Sequence, residues 1–181
     1  MERRLVMTVI GADRPGLVDK VAAVVAEHEG NWLESRMSRL GGQFAGILRV
    51  ELPEESEKAA VIALQALKAQ GLSVVIHADQ AEPLLQTQRL ASLEIVGQDR
   101  PGIVHQISRA LADQKVNVEE LHTECSSAPM SGESMFKARA KLGLPPSCDV
   151  ESIRKQLEKI AEDLIVEVNL SELPQDQSAP A

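Results

Sequence analysis

One eight-residue stretch occurs twice in this chain. Gly11-Ala12-Asp13-Arg14-Pro15-Gly16-Leu17-Val18 returns 86 residues later as Gly97-Gln98-Asp99-Arg100-Pro101-Gly102-Ile103-Val104. Each copy follows an apolar run of strand character, Leu5 to Ile10 and Leu93 to Val96, and each opens an amphipathic pattern at helical spacing. A repeat of this period predicts two similar units in place of one larger one. Locally the stretch predicts a strand, a tight turn and a helix that starts at the proline, where the missing N–H would be unpaired anyway. Gly16 and Gly102 carry no side chain, so another molecule's atoms can approach the backbone there, or the helix can pack close to the sheet. The N–H groups of a first helical turn lack intrahelical acceptors, and the helix dipole favours negative charge beside them. The turn therefore reads as a pocket for a small anion or carboxylate. The bland alternative is a structural turn carrying a surface Asp–Arg ion pair.

The rest of the chain falls into place around the two copies. A strand over Arg3 to Ile10 precedes a helix from Pro15 to about His28, with Leu17, Val18, Val21, Val24 and Val25 on one face. Gly30-Asn31 breaks that helix. Strands over Trp32 to Leu40 and Gln43 to Leu52 flank a Gly41-Gly42 hairpin signal. Acidic residues Glu54, Glu55 and Glu57 lead into a second helix carrying Val61, Ile62, Leu64 and Leu67, and Leu72 to His77 is the last strand. The order is βαββαβ, and it restarts. An offset of 86 aligns Asp13 with Asp99, Asn31 with Asn117 and Glu34 with Glu120. Beyond the hairpin an offset of 92 aligns Phe44 with Phe136, Leu52-Pro53 with Leu144-Pro145, and Leu72 with Leu164. The six additional residues lie in Ser126 to Gly132, a longer hairpin tip suited to tolerated variation or to partner docking. The second repeat then expects a helix over Asp149 to Asp163 and a strand over Leu164 to Leu170.

The expected fold class is α+β: two tandem ferredoxin-like domains, each a four-stranded antiparallel sheet with two helices on one face. The expected limits are 1–79 and 89–171, with a linker at 80–88 and a disordered tail at 172–181. The uncovered sheet face, or an edge strand, remains able to pair with a second copy, within one chain or between two.

Composition removes several function classes. With two Phe, one Trp and no Tyr, side chains for stacking bases are scarce, and the formal charge of −8 opposes nucleic-acid binding. No apolar stretch is long enough to span a bilayer, and Met1-Glu2-Arg3-Arg4 leads straight into a strand, so a cytosolic protein is expected. Cys125 and Cys148 form no CxxC pair. His122 and Cys125, three apart on a strand, point to opposite faces and make a poor metal pair. Cys148, beside Pro145-Pro146-Ser147, has no base nearby in sequence. No metal, cofactor or enzymatic activity is expected. The mixed charges of Arg154 to Asp163 read as a solvated helix face.

A βαββαβ unit with Asp-Arg-Pro-Gly between its first strand and first helix resembles the ACT domain, an amino-acid-sensing regulatory module. Two such units and little else resemble the glycine cleavage system transcriptional repressor family. The resemblance implies a non-enzymatic repressor that responds to a small amino acid, glycine foremost, and acts through a transcriptional activator without touching DNA. It places ligand contacts at Gly11, Asp13, Arg14, Pro15, Gly16, Leu17 and Asn31, and at Gly97, Asp99, Arg100, Pro101, Gly102, Ile103 and Asn117. The chemistry suits a zwitterion: helix N–H groups for the carboxylate, Asp13 or Asp99 for the ammonium, and an Asn amide to donate and accept. Asn31 and Asn117 also fit a left-handed helix stop. Two rival functions are a feedback-sensing subunit of a biosynthetic enzyme and an oligomerisation module.

Overall fold

Leu5, Met7 and Val9 are buried while Thr8 and Ile10 are exposed, the alternation of a strand with one face on a core. They belong to β1 (Glu2–Ala12), the first strand of a computed structural model that describes residues 1–79, 89–127 and 132–174. The chain divides into two compact units. In the first, β1 is followed by α1 (Leu17–Glu27), β2 (Asn31–Leu40), β3 (Gln43–Pro53), α2 (Glu57–Ala66), a 3₁₀ turn (Leu67–Gln70) and β4 (Leu72–Ala78). The second contains β5 (Arg89–Gln98), α3 (Ile103–Asp113), β6 (Asn117–Ser127), β7 (Ser134–Leu144), α4 (Val150–Leu164) and β8 (Val166–Glu172).

Both sheets are antiparallel and share one topology, β2-β3-β1-β4 and β6-β7-β5-β8. This is the α+β ferredoxin-like arrangement expected for each repeat. Even the irregularities recur: β2 shifts register between Trp32 and Glu34, and β6 between Val118 and Glu120. Each unit has its own core, formed by the inward residues of its central strands and one face of each helix. Met7, Leu48, Leu52, Leu64 and Leu72 anchor the first; Leu93, Ile103, Leu142, Ile153 and Leu157 anchor the second.

Three expectations need correction. Neither helix starts at its proline: Pro15 and Pro101 lie in the turn, and α1 and α3 begin at Leu17 and Ile103. Gly16 and Gly102 take φ of 89° and 94°, a left-handed backbone that continues no helix from the preceding residue and that glycine adopts without strain. The last strand begins at Val166, because Leu164 ends α4 and Ile165 caps it. Gly11 lies opposite Leu72, and Gly97 opposite Val166. Leu72 thus corresponds to Val166, and the alignment with Leu164 fails by two residues. Finally, Val18 and Ile62 are 45% and 69% exposed, so neither belongs to the core.

The expected linker 80–88 lies outside the described residues, as do 128–131 of the longer hairpin and 175–181 of the tail. Ser126 and Ser127 are part of β6, and Leu173 N–H donates to the Leu90 carbonyl. Among the described residues no helix is long and apolar enough to cross a membrane, and no cluster of three or more His, Cys, Asp or Glu is placed to hold a metal.

Candidate functional site

Each turn hangs between a sheet and a helix by backbone hydrogen bonds. Asp13 N–H donates to the Gly42 carbonyl at 2.9 Å, tying the end of β1 to the β2–β3 hairpin; Asp99 N–H donates to the Ser134 carbonyl at 2.8 Å. The helices then begin on the glycine carbonyls, which accept from Lys20 N–H at 3.1 Å and Gln106 N–H at 3.0 Å. That leaves the N–H groups of residues 17–19 and 103–105 ahead of the first intrahelical bond. No side chain caps either helix. A Cβ built on Gly16 would meet nothing within 4 Å, so the approach to this backbone is open. Leu17 and Ile103 point inward, 3% and 2% exposed, and pin the helix starts to their cores; only their N–H groups are in question for a ligand.

Gly11 and Gly97 have a different duty. A Cβ on Gly11 would stand 2.5 Å from the Gly71 carbonyl oxygen, and one on Gly97 2.7 Å from the Val166 Cα. The start of the last strand crosses so close to β1 and β5 that a side chain has no room. Their place beside the turn is accounted for by packing.

The charged residues of the turns divide unequally. Arg14 donates from Nη2 to the Gln70 carbonyl, and Arg100 from Nη2 to Gln98 Oε1 at 3.1 Å, so neither pairs with its neighbouring Asp. Asp13 is instead met by Arg39 Nε at 2.7 Å. Asp99 accepts from Ser134 Oγ at 3.4 Å, and Cys125 stands near enough to feel its charge. Desolvation, followed by the Asp99 charge and the hydrogen bond to it, raises the thiol's pKa. Arg39, Cys125 and Ser134 are the residues that the turn motif does not point to. The 86-residue offset already sets Arg39 against Cys125, but only strand pairing brings both to the carboxylates.

Asn31 and Asn117 stand elsewhere. Asn31 pairs with Glu51, which pairs with Arg4 at the far end of β1 from Asp13. The strand between them spans about 26 Å at ~3.3 Å per residue. Asn117 pairs with Gly143, which pairs with Leu90, at the same end of the second sheet. Within one unit a small ligand cannot touch both the turn and the Asn. Nor are these residues helix stops: the positive φ values belong to Glu29 (58°) and Lys115 (56°), and both Asn begin strands. Asn117 Nδ2 donates to Glu119 Oε1 at 2.5 Å.

Two family models, both described as the ACT domain, match residues 3–78 and 91–137. The chain belongs to the ACT-domain family. It is a tandem ACT protein, and the two matches fall on the two sheets. It is 23% identical over 164 residues to the glycine cleavage system transcriptional repressor of Escherichia coli, an alignment spanning 88% of this chain and 85% of that one. A UPF0237 protein of Methanopyrus kandleri is 36% identical over 77 residues, 41% of this chain and 86% of that protein. Among solved structures, a protein from Galdieria sulphuraria superposes with a TM-score of 0.85 at 28% identity, covering 96% of this chain and all of that one.

Proposed function

We propose that this tandem ACT protein is a non-enzymatic regulator that binds a small amino acid at its Asp-Arg-Pro-Gly turns and passes the signal to a protein partner. The observation that carries the reading is the turn itself: an acidic side chain beside an uncapped helix start, built twice. A carboxylate for the ammonium and helix N–H groups for the carboxylate are the two halves of α-amino-acid recognition. Glycine is the favoured ligand, because the full-length similarity is to a glycine cleavage system transcriptional repressor. The partner in this proposal is a transcriptional activator, the site of action the cytoplasm, and DNA is not contacted directly. The acidic balance of the chain supports the last point.

Regulation requires the ligand to favour one state of the protein over another. The test is a thermal-shift screen of the full chain against the twenty amino acids, followed by co-purification with and without the best ligand. Binding raises the melting temperature by mass action, equivalent to about 2.7 kcal/mol at a hundredfold excess over Kd. A selective rise with glycine, together with ligand-dependent capture of a DNA-binding activator, is expected. A flat profile at millimolar ligand, or capture of a biosynthetic enzyme in place of an activator, would refute the proposal.

A further inference from the structure

The two turns share a backbone and differ in what meets the carboxylate. In the first ACT domain the Arg39 guanidinium reaches from the end of β2 to Asp13 at 2.7 Å. Arg39 lies opposite Phe44, and Cys125 lies opposite Phe136, so the two residues hold one position in equivalent hairpins. Asp99 therefore has a thiol in the place of the guanidinium and accepts from a hydroxyl, Ser134 Oγ at 3.4 Å, both neutral groups. Its sequence neighbour Arg100 is turned to Gln98. A carboxylate in contact with a guanidinium has its charge matched, whereas one held by neutral donors does not. An incoming ammonium thus gains at Asp99 a charge-assisted hydrogen bond that Arg39 already makes at Asp13. The first domain also demonstrates that a cation fits this place, since Arg39 fills it from within.

Building on the amino-acid reading above, we infer that the ligand ammonium is received in the second ACT domain, at Asp99, and that Arg39 closes the equivalent position at Asp13. The Arg39/Cys125 difference decides which turn is receptive. Cys125 contributes a small neutral group where the first domain brings a charge.

The experiment is a glycine titration of the ¹⁵N-labelled full chain followed by amide shifts, with the melting temperature of each variant as a folding control. Asp13, Arg39, Asp99 and Cys125 are all exposed, so their substitution leaves both cores intact. Shifts are expected over residues 97–105, with 13–19 unmoved. Asp99→Ala should weaken binding by about tenfold or more, the worth of a hydrogen bond to a charged group, while Asp13→Ala stays within about twofold. Arg39→Cys should add a second set of shifts over residues 13–19, and Cys125→Arg should abolish those over 97–105. Shifts centred on the first turn, or binding lost with Asp13→Ala and kept with Asp99→Ala, would overturn the inference and leave the sensor reading standing. No shift in the unsubstituted chain would overturn both.

Discussion

Cys125 is exposed, yet its surroundings favour the neutral thiol. The shift is upward, so the protonated form is the one the fold favours. Its contribution to stability is full below the thiol's unfolded pKa and is lost as pH rises through the raised value. Alkylation by iodoacetamide at pH 8 should accordingly be slower at Cys125 than at cysteine in a short peptide, and Asp99→Ala should accelerate it. Equal rates in all three would show that Asp99 does not act on the thiol. The doubled Asp, Pro and Gly of the turns are legible in the sequence because identity at a fixed offset needs no geometry. Arg39 is not, because an Arg matched with a Cys looks like drift until the hairpin register sets each beside an aspartate. The left-handed glycines are half legible: their need for space is evident, whereas the φ near 90° that moves the helix start past the proline is not.

Of the four α-helices among the described residues only α4 begins on a side-chain cap, and α2, like α1 and α3, has none. Asp149 Oδ1 accepts from Glu151 N–H at 3.2 Å and caps α4. Asp149→Ala should lower stability by about 1 kcal/mol in urea unfolding, the usual worth of an N-cap. An unchanged midpoint would mean that solvent satisfies the same N–H. The helices and the central strands are legible in order and type, because inward positions keep a period of two along β1 and most of β7 and one near 3.6 along α1 and α4, whereas the exposed β2 and β6 are legible only from the turns around them. The end of α4 is not, for a physical reason. Leu164 is apolar and buried whether it closes a helix or opens a strand, so its hydrophobicity does not discriminate; the left-handed Ile165 does.

Two separate cores imply two separately removable stabilities. Leu64 is fully buried in the first core, and Leu64→Ala should cost about 2–5 kcal/mol there. Amide protection should fall across β1, β3 and β4 and stay unchanged in β5, β7 and β8; loss in both would mean that the units unfold as one. We propose 1–79 and 89–174 as the domain limits, the second running past the expected 171 because Glu172 belongs to β8 and Leu173 bonds to Leu90, and fragments cut at those limits should each melt cooperatively. Gly11 and Gly97, where the start of the last strand passes 2.5 Å and 2.7 Å from the place a methyl group would occupy, have a further consequence for heredity. Any missense change in a glycine codon installs a Cβ. At many codons a gene can drift through conservative neighbours, alanine for glycine being the mildest; at these two, as at Gly30 and Gly46, the mildest change already collides with backbone. In a saturation library selected for folded protein, both should stand as single-letter positions, one in each half of the gene.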